Sequence, residues 1–235
     1  MSRTFVCVHG IWHGGWCWSR VADILRARGH RISTPTQTGL GERAHLMSSD
    51  ITLQTFVDDI VQHIRYEDLS EVVLVGHSFG GAPVTGAAEA VSDRIAELVY
   101  LDAIMLDNAE TWFGLLPADI VADRTAKAMA SSGGLSLPVA PPESFGLIRP
   151  EDIAFVESRL TPHPLATLTT PLTLARPMGA GLPARYIRCT EPAYGPAAIA
   201  MERAQSLGWP ISDVPTGHDA MVSAPLAIAD LLDQG

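Results

Sequence analysis

The stretch Val72-Val73-Leu74-Val75-Gly76-His77-Ser78-Phe79-Gly80-Gly81 constrains this chain more than any other. Its apolar run reads as a buried strand. The Gly-x-Ser-x-Gly pattern then calls for a sharp strand-to-helix turn that holds the serine exposed. Glycines two places before and after the serine let neighbouring backbones approach closely. A helix that follows aims its free N–H groups at the turn, where they favour developing negative charge. Ser78 therefore reads as a nucleophile at the carboxyl edge of a parallel sheet.

The rest of the chain fits such a sheet. Short apolar runs at Thr4–His9, Arg31–Thr34, Glu71–Gly76, Ile95–Asp102, Ala184–Cys189 and Ile211–Val214 alternate with helical periods. That alternation marks an α/β fold with a mainly parallel sheet of about six strands and helices on both faces. Leu53, Phe56, Val57, Ile60, Val61 and Ile64 share one helix face, with Thr52 as N-cap. Further helices are expected at Trp16–Arg28, Gly81–Val91, Ala197–Leu207 and Leu226–Leu232, with Pro225 in the first turn of the last. From Ala103 to about Gly181 the alternation stops and prolines crowd the sequence. This segment, 103–181, reads as a helical and loop cap over a core of 1–102 and 182–235.

The net charge of −10 argues against nucleic acid or an anionic membrane as partner, because both would repel it. Cys7, Cys17 and Cys189 form no C-x-x-C pair and no disulfide framework, which fits a reducing compartment. The opening MSRTFVCVHG lacks a secretory pattern, and no run has the length of a membrane span, so the cytoplasm is expected. No phosphate loop, dinucleotide fingerprint or metal-ligand cluster is visible, so no cofactor and no metal are expected. His9 and His13 are four apart, but the glycine-rich turn between them is not the helix a zinc pair needs.

His218 follows the last strand in Val214-Pro215-Thr216-Gly217-His218-Asp219 and is the candidate general base. His30, His45, His63 and His163 read as surface histidines. His9, His13 and His77 flank the motifs and read as structural or pocket-lining. After the first strand, Gly10 lets the backbone turn over the nucleophile, so the N–H groups of Ile11 and Phe79 are the candidate oxyanion hole. Gly10, Trp12, His77, Met105, Trp112, Phe113 and Phe145 are candidates for an apolar substrate pocket.

The HGxxHGGWCW start, Thr38–His45 (TGLGERAH), the GHSFGG elbow and the terminal GHDAM together resemble the methylesterase/hydroxynitrile-lyase branch of the α/β-hydrolases, bacterial esterases in particular. The resemblance implies an α/β-hydrolase fold and cleavage of small to medium hydrophobic carboxylic esters through an acyl-enzyme. Lyases of that branch carry threonine and lysine where this chain has Gly10 and Asp219, and an acid at Asp219 would repel cyanide. The esterase reading is therefore favoured. Relatives usually place the triad acid just after the penultimate strand, where Pro192 stands here. Two substitutes remain open: Asp102 at the end of the preceding strand, slightly favoured, and Glu191 in the loop. Asp213 and Asp219 are weaker candidates. The displaced acid also leaves open a ligand-binding or sensor protein with weak turnover. Carbamate or carbon–carbon bond cleavage in the same pocket is a third reading. The expected partner is a small hydrophobic ester, with homodimerisation open.

Overall fold

The protein is described by a computed structural model that covers residues 2–234. Eight strands form in chain order: β1 (Thr4–Val8), β2 (Arg31–Ser33), β3 (Val72–His77), β4 (Ile95–Leu101), β5 (Ser136–Leu137), β6 (His163–Pro164), β7 (Ala184–Cys189) and β8 (Ile211–Val214). Six of them make one sheet in the order β2-β1-β3-β4-β7-β8. Every pairing in it is parallel. β3, fully buried along its length, is central because it is apolar on both faces.

The chain enters at β1, steps outward to β2, then returns past β1 to β3. Right-handed crossovers turn this reversal into a two-sided covering. Helix α1 (Ser19–Ala27) falls on one face, and α2 (Leu53–Tyr66) and α3 (Gly81–Ala90) fall on the other. The apolar stripe of α2 is buried as its spacing predicts. Its start is fixed by the Thr55 hydroxyl, which accepts the Thr52 N–H at 3.1 Å. The predicted helix over Trp16–Arg28 divides into a 3-10 turn at Gly15–Trp18 followed by α1.

The segment between β4 and β7 is more regular than its prolines suggest. It contains α4 (Ala118–Ser132), α5 (Pro150–Glu157), α6 (Ala166–Thr169) and the small antiparallel pair β5–β6. The chain closes with α7 (Ala198–Ser206), α8 (Ala220–Ser223) and α9 (Pro225–Asp233), the last packed on α1. No helix among the described residues is long and apolar enough to cross a membrane.

The reversal point between β1 and β3 is where an open α/β sheet leaves a crevice at its carboxyl edge. The turns after β1 and β3 meet there. A Cβ on Gly80 would lie 2.5 Å from the His9 carbonyl oxygen. Glycine at that position is what allows the elbow to seat against β1.

Candidate active site

Ser78 sits at the top of β3 with φ +54°, a left-handed conformation that costs a non-glycine residue about 1–3 kcal/mol. The turn points its side chain into a small cleft. The cleft is lined by Ile11, Trp12, His13, His77, Ser78, Phe145, Tyr194, His218 and Asp219. The turns after β1, β3 and β8 thus converge with two loop residues, Phe145 and Tyr194. Ser78 and His218 share this cleft without a direct hydrogen bond between them. Such bonds often tighten only when substrate enters.

His218 is held on two sides. Its Nδ1 lies 2.7 Å from Asp102 Oδ2, and its ring stacks on Tyr194 at 3.7 Å between centroids. Asp102 follows directly after β4 with φ +44° and is buried. Its other oxygen accepts the Cys189 N–H at 3.2 Å, so the carboxylate is anchored to β7 while it faces the imidazole. Glu191 is exposed, and the carboxylate hydrogen-bonded to His218 is that of Asp102. Asp213 pairs with Arg188 at the surface.

Gly10 explains how the β1 turn can cross above the serine. A Cβ there would lie 2.6 Å from Ser78 Cβ and 3.1 Å from Oγ. Gly10→Ala should therefore shift Ser78 and lower kcat/KM for an aryl ester by about 10²-fold, the usual cost of a 1 Å misplacement at a reacting centre. Steady-state kinetics at constant thermal stability would check this. Ile11 follows in the turn. Trp12 (φ +65°) then ties that turn to the β4–β7 segment: its indole N–H donates to the Leu137 carbonyl at 3.2 Å and its carbonyl accepts the Thr161 N–H at 3.0 Å.

Two histidines near this turn have different charge states, and their partners show why. His9 Nδ1 donates to the Gly10 carbonyl at 2.9 Å while Nε2 accepts the Gln37 N–H at 3.0 Å. One donor and one acceptor suit a neutral ring, and burial pushes its pKa down to about 3. His13 faces two acceptors, the Ile11 carbonyl at 2.7 Å and Asp219 Oδ2 at 3.0 Å. Both of its nitrogens must donate, so the ring is an imidazolium. Burial opposes that charge, but Asp219 outweighs it and the net direction for His13 is upward. Burial likewise opposes the Asp219 charge, and His13 more than offsets it, leaving the carboxyl below its usual range. The pair joins the β1 turn to the His218 turn. The charge of Asp219 is thus largely answered by His13, which mutes the repulsion of cyanide expected from its position alone.

The pair predicts a stability profile. A raised His13 pKa contributes fully below the unfolded imidazole value near 6.5 and is lost as pH climbs through the folded value. A lowered Asp219 pKa contributes above the unfolded value near 3.9 and is lost as pH falls through the folded value. The contribution is therefore greatest between about pH 4 and 6.5. Asp219→Asn should cost about 3–5 kcal/mol at pH 6, because it leaves His13 buried without its counter-charge. The difference from the wild-type chain should narrow toward pH 9. Urea denaturation of both proteins at the two pH values measures it.

The remaining expectations divide. His77 lines the cleft, and its Nε2 donates to the His218 carbonyl at 2.9 Å. Burial, then the neighbouring His218, drives its pKa well down, so it stays neutral. Phe79 packs its ring edge-on against His163 at 5.5 Å. Phe145 and Trp12 wall the cleft, whereas Met105, Trp112 and Phe113 do not reach it. Met105 is buried beneath Arg203, and Trp112 lines a separate hollow. Of the four histidines expected at the surface, only His45 is exposed. His30 pairs with Asp233, His63 is half-buried against Ser33, and His163 is fully buried with Nδ1 toward the Trp12 N–H. Tyr194 was not among the expected residues. It lies in an irregular loop with no periodicity to mark it.

Comparison with known proteins gives this arrangement a family. The model of the alpha/beta hydrolase family matches residues 5–231. The carbendazim hydrolyzing esterase of a Nocardioides strain is 37% identical, with 97% of each chain covered. Methylesterase 2 of Arabidopsis thaliana is 32% identical over 75% of this chain and 66% of its own length. Among solved structures, an extracellular alpha/beta-hydrolase from a Paenibacillus species superposes with TM-score 0.85 at 24% identity, covering 98% of this chain and 97% of its own. Its description reports structural and functional homology to tobacco salicylic acid binding protein 2. The chain belongs to the alpha/beta hydrolase family, among its esterases.

Proposed function

We propose that this esterase works by acyl transfer through Ser78, His218 and Asp102. Ser78 Oγ attacks the ester carbonyl while His218 takes its proton. The N–H groups of Ile11 and Phe79 hold the oxyanion, each worth about 3 kcal/mol in the transition state. His218 returns the proton to the departing alcohol. It then activates water to cleave the acyl-enzyme, regenerating Ser78. Asp102 orients the imidazole and stabilises its charged form. The observation that carries this reading is the 2.7 Å contact between His218 Nδ1 and Asp102 Oδ2 beside the Ser78 cleft. It also supports turnover over a ligand-holding protein, since the carboxylate missing after β7 has a counterpart at the end of β4.

The substrate class is a small to medium ester with an apolar body, because Ile11, Trp12 and Phe145 form the cleft walls. Residues 103–181 act as its cap. The buried, unpaired cysteines support a reducing, cytoplasmic setting. A fluorophosphonate probe followed by peptide mapping tests the nucleophile. Adduct on the Ser78 peptide is expected. Adduct on another residue, with Ser78 unmodified in an active enzyme, would overturn the mechanism. Carbendazim, named for the Nocardioides relative, belongs in the substrate panel beside simple aryl esters.

A further inference from the structure

The cleft at Ser78 encloses only about 10 Å³, less than one small molecule needs. Beside it lies a far larger hollow of about 610 Å³. The two share the side chains of Trp12, Phe145 and Tyr194, so a substrate whose ester enters the cleft extends its remainder across that partition. The larger hollow has apolar walls from β5 and the proline-rich turn after it, including Leu137 and Val139. Three charged residues border it, all on α4: Asp123, Arg124 and Lys127.

Two of those charges answer each other. Lys127 Nζ lies 2.7 Å from Asp123 Oδ2. Arg124 has no such partner. Every other lysine and arginine among the described residues pairs with a carboxylate or donates to a backbone carbonyl. Arg124 does neither, and its Nη1 is buried with no hydrogen-bond acceptor. The Tyr194 phenol, on the partition between cleft and hollow, stands within side-chain hydrogen-bonding reach of the guanidinium, so Nη1 is the donor left over. An uncompensated cation is unexpected in a chain of net charge −10. A buried donor left unsatisfied is a cost that a native fold retains where something else supplies the acceptor.

We infer that Arg124 receives an anionic group on the substrate, so that the preferred esters carry a carboxylate on the acyl side, several bonds from the scissile carbonyl. Half-esters of dicarboxylic acids are the simplest members of this class. A guanidinium fork matches a carboxylate in shape and charge. The apolar walls between Arg124 and Ser78 take the connecting chain. This inference rests on the Ser78 reading, because it takes the cleft as the place where the ester reacts.

The test compares two substrates of equal length, mono-4-nitrophenyl suberate and its neutral methyl ester, 4-nitrophenyl methyl suberate. The wild-type enzyme should favour the acid by about tenfold to a hundredfold in kcat/KM, through KM, the usual range for a charge-assisted pair. Arg124→Gln should bring the ratio near one, and Arg124→Lys should restore part of it. Thermal melting of Arg124→Gln should match the wild-type value, since the guanidinium has no carboxylate partner to lose. Free suberate should inhibit the wild-type enzyme better than Arg124→Gln. A wild-type ratio of one, or a ratio that survives Arg124→Gln, would overturn the inference while leaving neutral-ester turnover dependent on Ser78. Failure of the Ser78 reading would look different: Ser78→Ala would keep hydrolysing both substrates.

Discussion

Replacing Ser78 with alanine should lower aryl-ester turnover by about 10⁶-fold while the melting temperature stays near the wild-type value. The size of the loss follows from how the site is built. An elbow residue at φ +54° places one hydroxyl in a cleft whose other walls are Ile11, aromatic rings, histidines and Asp219. No second hydroxyl among the cleft residues, other than the Tyr194 phenol, can replace it. Burial pushes that phenol above its ordinary value, so it is a poor substitute nucleophile near neutral pH. The residual rate should reflect only the backbone donors and binding, which leave about 10³–10⁴-fold over water when a triad member is removed. Ester assays with stringent removal of contaminating hydrolases, paired with calorimetry, would separate lost chemistry from lost folding. Turnover within tenfold of wild type would remove Ser78 from the mechanism.

Asp102→Asn should lower kcat by about 10⁴-fold with little change in KM. The amide keeps the size of the side chain, yet it can present its N–H₂ to His218 Nδ1 and favour the wrong tautomer. The Cys189 N–H at 3.2 Å pins the first oxygen position as an acceptor, which leaves the nitrogen facing the imidazole. Glu191→Gln is the paired control. It should retain wild-type kcat, because Glu191 is exposed. If the two variants exchange effects, the acid belongs to the β7 loop after all. A loss confined to KM in Asp102→Asn would mean that Asp102 shapes the fold and does not support the base.

The strands and the elbow were readable because they depend on local pattern. Ala184–Cys189 and Ile211–Val214 have the bounds their apolar runs predict, and the other sheet strands differ by a residue or so at their ends. The α2 stripe likewise carries its own period. Asp102 could be proposed only beside Glu191, since choosing between them needs the position of a histidine 116 residues away. The His13–Asp219 pair spans 206 residues, and no local feature announces it. His163 read as a loop histidine because its surroundings come from α2 and the elbow, through Phe56 and Phe79. Helix α4 is illegible in the sequence for the opposite reason. Only Ala128 of its fifteen residues is buried, so it has no apolar face for a sequence to display.

The loop after β7 contributes a single aromatic ring to the His218 imidazole, while the carboxylate hydrogen-bonded to that ring comes from the end of β4. These two contacts therefore come from separate elements of the chain. Side-chain substitutions at the exposed positions 191–193 leave the His218–Asp102 contact in place, whereas Tyr194 bears directly on the imidazole. Libraries aimed at new esters should begin in that loop and on the α4 face opposite it.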